Sequence, residues 1–174
     1  MMTKHLDEGN LHFEFPSFLS AGRFDNKELN VFGMKNVDFV AEDADCLYFI
    51  EVKDYQHPKA TDERRKLDFE TLVEAVENKK SIFTIEMGAK IKDSLLRKYS
   101  LGEQFNKKVV FLLFINLDKF GEIERGRLLS KVCGHVPMGL NEPRFPAFTS
   151  ISFDLVNAEQ LKNYGIICTE KAEV

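Results

Sequence analysis

Apolar and polar positions along this chain fall into patterns that mark out its elements. Leu11-His12-Phe13-Glu14-Phe15 alternates with a period of two, as a half-buried strand does, and Pro16 ends it. Asn30-Val31-Phe32-Gly33-Met34 predicts another short strand. Val37-Asp38-Phe39-Val40-Ala41-Glu42 and Leu47-Tyr48-Phe49-Ile50-Glu51-Val52-Lys53 are apolar runs joined by Asp43-Ala44-Asp45, and they predict a tight hairpin. Gln56-His57-Pro58 marks a loop, and Thr61-Asp62 can cap a helix that begins near Glu63. Phe69, Leu72, Val73 and Val76 recur at i, i+3, i+4 and i+7 on that helix, a stripe that predicts core packing. Met87, Ile91, Leu95 and Tyr99 form a second stripe at four-residue steps, with Gly88 near the helix start. Val109–Ile115 has no polar interruption, as expected of a strand covered on both faces. A helix over Glu122–Val132, a strand over Ile151–Leu155 and a short helix over Ala158–Lys162 complete the pattern. The Pro- and Gly-rich stretch from Gly134 to Pro146 predicts a mobile loop.

The 174 residues show no internal repeat, low-complexity tract or linker, so residues 1–174 are expected to form one domain. Strands and helices in this order predict an α/β fold, a mixed β-sheet flanked by helices. Hydrophobic residues are 44% and charged residues 30%, the balance of a soluble globular chain. No apolar run approaches the roughly 20 residues that span a bilayer, and Met1–Glu8 lacks the apolar core of a secretion signal. Three scattered cysteines, Cys46, Cys133 and Cys168, form no disulfide framework. A cytoplasmic protein with no membrane partner is therefore expected. The net charge of −4 argues against nucleic-acid binding through bulk electrostatics and leaves only local patches for it. Such patches include Arg64-Arg65-Lys66, Lys79-Lys80, Lys90 with Lys92, Arg97-Lys98 and Lys107-Lys108.

Three charges sit where a buried hairpin should not want them. Asp38, Glu51 and Lys53 interrupt apolar runs, and burying ionised groups costs several kcal/mol, to order of magnitude, unless each finds a partner or a metal. Glu51 and Lys53 point to one face of their strand, with Ile50 and Val52 on the other. If the turn is centred between Ala44 and Asp45, Asp38 falls directly opposite Glu51, with Cβ atoms roughly 4.5–5.5 Å apart. Two carboxylates that close demand a proton or a cation between them. The simplest compensating group is a divalent cation, and behind it a phosphodiester. An acid-x-Lys pattern alone says little, since it recurs at Asp25-Asn26-Lys27 and Glu77-Asn78-Lys79; only Glu51-Val52-Lys53 lies on an apolar strand preceded by an acid-bearing one.

With these elements the chain resembles the PD-(D/E)xK, or restriction-endonuclease-like, superfamily of phosphodiesterases. The likeness covers about residues 30–116: the Asp38 strand, the hairpin, the strand running through Ile50-Glu51-Val52-Lys53-Asp54-Tyr55, the helix with Phe69 and Leu72, and the strand Val109–Ile115. Asn36-Val37-Asp38 stands where the superfamily has Pro-Asp. The resemblance implies a restriction-endonuclease-like core and a metal-dependent nuclease. Asp38 and Glu51 would be metal ligands, joined by the Val52 carbonyl, and Lys53 would position or activate the attacking water. Asp38, Glu51 and Lys53 are thus the expected catalytic residues, Mg²⁺ or Mn²⁺ the expected cofactor, and nucleic acid, DNA foremost, the expected substrate. Many such enzymes act as pairs, which makes a homodimer part of the expectation. Removing Glu51 is expected to abolish metal binding and cleavage, and to leave folding intact or improved by relieving carboxylate repulsion.

Relatives open with a helix that lends another acid, whereas residues 11–35 here are strand-like and turn-rich. Glu14, Asp25 and Glu28 are the candidates for that acid, with Glu14 preferred because it interrupts Phe13 and Phe15; its alternative reading is the exposed face of an edge strand. Tyr55 and Gln56 follow Lys53 closely enough to touch a phosphate. Cys133-Gly134-His135 has no second ligand pair at zinc spacing, so a structural role is expected for it. The missing opening helix and the negative charge keep a second reading open, a catalytically inactive nuclease-like binding or assembly module.

Overall fold

The structure, a computed structural model, describes residues 2–25, 33–103, 105–118, 120–141 and 148–171. In chain order it contains β1 (Lys4–Glu8), β2 (Leu11–Phe15), β3 (Ser20–Arg23), β4 (Phe39–Glu42), β5 (Cys46–Asp54), α1 (Asp62–Glu77), α2 (Ile82–Ser100) and β6 (Phe105–Asn116). After these come α3 (Glu122–Cys133), β7 (Phe148–Val156), α4 (Ala158–Leu161) and β8 (Ile167–Glu170). The fold is mixed α/β. A five-stranded sheet runs in the order β3-β4-β5-β6-β7, and a three-stranded sheet in the order β1-β2-β8. The pairs β3–β4 and β4–β5 are antiparallel, whereas β5–β6 and β6–β7 are parallel.

Alternation along the central strands separates two apolar clusters. Leu47 and Phe49 of β5 and Val109, Phe111, Leu113 and Ile115 of β6 pack with side chains of α1, α2 and α3. Tyr48, Ile50 and Val52, with Val110, Leu112 and Phe114, pack instead against Leu11, Phe13 and Phe15 of β2. The sequence predicts one sheet flanked by helices. The structure differs on the second face, where the small sheet does most of the covering. Glu51 shares its face with Leu47 and Phe49, so it lies on the helix side.

Local chemistry explains most of the boundaries. The Thr61 and Ser81 side chains accept from the Arg64 and Thr84 N–H groups and so cap α1 and α2. On α1 only Leu72, Ala75 and Val76 are buried, while Phe69 and Val73 are 46% and 48% exposed, so the predicted stripe reaches the core along only part of its width. On α2 Met87, Ile91 and Leu95 are buried and Tyr99 is not. Strands β1, β3 and β8 lack an apolar run and bury no side chain fully, so no strand signal marks them in the sequence. Of the strand expected over 30–34, residues 30–32 lie outside the described residues, and Gly33 is a turn residue at φ 82°. The loop expected from Gly134 to Pro146 contains a 3₁₀ turn over Met138–Asn141, and its residues 142–146 lie outside the described ones. Among the described residues no helix is long and apolar enough to cross a membrane.

Candidate functional site

The β4–β5 turn is fixed by its own side chains. Asp43 Oδ1 accepts from the Asp45 and Cys46 N–H groups at 2.8 and 2.7 Å, and Tyr48 donates its hydroxyl to Asp43 Oδ2 at 2.9 Å. The strand pairs run Glu42↔Leu47, Ala41↔Tyr48, Val40↔Phe49 and Phe39↔Ile50, the register of a turn centred between Ala44 and Asp45. Asp38 and Glu51 are one step beyond the last of these pairs, facing each other where the ladder ends.

The ladder ends because other groups take its partners. The Val37 N–H donates to Ser94 Oγ of α2 at 3.0 Å, and the Val52 N–H donates to Asp38 Oδ2 at 2.6 Å. A residue's N–H and C=O point to the same side of an extended strand. The Val52 carbonyl therefore faces the Asp38 side as well. Asp38, Glu51 and Val52 thus present oxygen atoms at the open end of the hairpin, away from its turn.

Glu51 is buried, at 4% exposure, and two ammonium groups compensate it. Lys53 Nζ lies 2.8 Å from its Oε1. Lys90 of α2 donates to Oε1 at 2.7 Å and to Oε2 at 2.8 Å, and stands 4.0 Å from Asp38 Oδ1. Lys90 thus lies between the carboxylates, on the spot the sequence assigns to a cation. In the sequence Lys90 belongs to a basic patch with Lys92, and nothing local ties it to a residue 39 positions away. Removing Glu51 would relieve its repulsion of Asp38, but it would also strand the Lys53 and Lys90 ammoniums, a change that costs about 3–5 kcal/mol for a buried pair.

Burial pushes the Asp38 carboxyl up to about 7, and the Glu51 charge adds to it; Lys90 and the Val52 N–H pull the other way. Burial works against the Lys90 charge, but the Glu51 and Asp38 carboxylates outweigh it and hold the ammonium above its ordinary range. Tyr55 is raised by burial and by the Asp68 and Glu51 charges, so its hydroxyl stays protonated beside the site.

Of the acids considered as an additional ligand, Asp25 is close enough to act on the charge of Lys90. Glu28 lies outside the described residues. Glu14 alternates with the buried Phe13 and Phe15 of β2, so it faces away from the core on the small sheet and does not meet Glu51. Tyr55 and Gln56 line a cleft of about 640 Å³ with Arg65, Lys66 and Phe69 of α1 and Leu117 and Asp118 beyond β6. It opens just past the end of β5 at Asp54. His135 has a structural task, its Nε2 lying 2.7 Å from the Lys79 carbonyl oxygen. Compared with protein-family models, with curated proteins and with solved structures, the chain matches none.

Proposed function

We propose that this protein is a metal-dependent phosphodiesterase acting on nucleic acid, with a restriction-endonuclease-like core. The observation that carries the reading is the meeting of Asp38, Glu51 and Lys53 at the end of one hairpin, with the Val52 carbonyl on the same side. The antiparallel run β3-β4-β5, followed by helices and a parallel β6, supports the core assignment.

The donor set is two carboxylates and a carbonyl, all hard oxygens of the kind Mg²⁺ and Mn²⁺ take. An Asp38 carboxyl raised to about 7 is a group that a nearby dication would ionise, which supports the fit. Asp38, Glu51 and the Val52 carbonyl would hold the ion, after the Lys90 ammonium swings from between the acids. Bound there, the ion would supply Lewis acidity at the phosphoryl oxygen and a lowered pKa for the attacking water. Lys53, about a quarter exposed, would orient that water and offset negative charge developing on the phosphoryl group. Arg65, Lys66 and Gln56 in the adjoining cleft would hold flanking phosphates, which answers for a net-acidic chain binding a polyanion.

One observation favours the second reading, an inactive module of the same fold. Lys90 donates to both Glu51 oxygens and stands 4.0 Å from Asp38, in the place an ion would take. Cleavage of single- and double-stranded DNA and RNA with Mn²⁺, in wild type, Lys53→Ala and Asp38→Asn, separates the two. The nuclease reading expects a loss of about 100-fold or more in each variant, with both still folded by circular dichroism. Unchanged rates in the variants would sink it. If the wild type neither cuts nor binds Mn²⁺ by calorimetry while Lys90→Ala binds the ion, the module reading stands.

A further inference from the structure

A separate set of metal-ligating side chains lies on the outer face of the β1–β2 hairpin, whose inner face carries Phe13 into the core. The strand register sets His5 opposite Glu14 and Asp7 opposite His12. With Leu11, Phe13 and Phe15 buried, His12 and Glu14 must share the outer face, and their cross-strand partners share it with them.

The ligand atoms converge. His12 Nε2 lies 3.2 Å from His5 Nδ1 and 3.8 Å from Glu14 Oε1, and one ligand atom from each of the three residues lies within 4.8 Å of the others. Donors about 2.0–2.2 Å from a tetrahedral Zn²⁺ are separated by roughly 3.3–3.5 Å. The two shortest separations bracket that value, and a turn of the exposed His5 side chain toward Glu14 would bring in the third, which lies within 4.8 Å. On the opposite edge of the ring, His12 Nδ1 lies 2.7 Å from Asp7 Oδ1, and Lys171 Nζ steadies that carboxylate at 3.1 Å from Oδ2. A carboxylate in this position holds the proton on Nδ1 and turns the Nε2 lone pair toward His5 and Glu14. This is the carboxylate–histidine arrangement that orients metal-bound imidazoles. A single N–H···N bond between the histidines would occupy His5 and His12 but leave Glu14 outside hydrogen-bond range.

We propose that His5, His12 and Glu14 form a site for a nitrogen-preferring first-row dication, Zn²⁺ above all, with Asp7 as its positioning residue. Two imidazoles and one carboxylate suit Zn²⁺ and not Mg²⁺, so this site and the all-oxygen pocket at Glu51 would select different ions. A fourth position would open to solvent. The ion would staple β1 to β2.

Isothermal calorimetry with Zn²⁺ on the chelator-stripped full chain tests the assignment. One site of micromolar or tighter affinity is expected. His12→Asn and Glu14→Gln should each weaken it at least tenfold, Asp7→Asn should weaken it about 10- to 100-fold, and Asp38→Asn should leave it unchanged. Substituted Co²⁺ should give visible bands without thiolate charge transfer. A thiolate band, undiminished binding in His12→Asn, or wild-type affinity weaker than millimolar would each overturn the proposal. Loss of binding in Asp38→Asn would also overturn it, since the ion would then belong to the Glu51 pocket.

Discussion

At the residue scale the molecule turns on a carboxyl that cannot easily ionise. Asp38 is raised from an ordinary 3.8 to about 7, first by burial and then by Glu51. Between those values the folded chain keeps a proton that the unfolded chain has released. The associated stabilisation is fully present below about pH 4 and is lost as pH rises through about 7. A shift near three pKa units corresponds to on the order of 4 kcal/mol. Urea denaturation at several pH values should therefore show wild type losing stability relative to Asp38→Asn as pH rises from 4 to above 7. Asparagine can still accept from the Val52 N–H but carries no charge to bury. Parallel pH profiles would mean that Asp38 ionises in the fold as readily as in water. The Asp38–Glu51 opposition was legible from strand alternation and turn placement alone. Lys90 was not, because its contact with Glu51 exists only once α2 lies across the sheet.

Among elements, legibility followed the number of covered faces. β5 and β6 are buried on both faces and read as continuous apolar runs, so their pairing around the diagnostic hairpin was visible. β1, β3 and β8 are short and partly or largely exposed, and their sequences carry no apolar signature. Glu14 lies on the outer face of β2, the side that alternation with Phe13 and Phe15 already indicated, but its separation from the site shows only once β1 and β8 place β2 in a sheet of its own. Gly88 on α2 shows how packing overrides propensity. A Cβ built there would lie 2.4 Å from His135 Cβ, and His135 is held by Lys79 and by its own N–H bond to the Val132 carbonyl. In an open helix Gly→Ala would gain about 1 kcal/mol. Here Gly88→Ala should lose roughly 1–3 kcal/mol through overpacking, as measured by urea titration. Combining it with His135→Gly should recover part of the loss. A stabilised single variant would show that α2 and the turn at His135 do not meet this closely.

For the whole molecule, the two sheets act as one structure because aromatic side chains cross between them. Phe13 of the small sheet is fully buried and meets Phe39 of β4 at 5.3 Å and Phe114 of β6 at 5.5 Å between ring centroids, both edge-on. Edge-on pairs add about 0.5–1.5 kcal/mol beyond the area they bury. The β1–β2 hairpin is therefore a wall of the core that also backs β4 and β5, the strands that present Asp38 and Glu51. Truncating a buried phenylalanine costs about 3–5 kcal/mol, a large share of the 5–15 kcal/mol typical of a domain. Phe13→Ala should lower stability by that amount in urea, with tryptic cleavage accelerating in the large sheet as well as in the hairpin. A loss under about 1 kcal/mol, or cleavage confined to residues 2–15, would mean that the small sheet rides on the large one without supporting it. The site's geometry would then have to be held by α2 and the Asp43 turn alone.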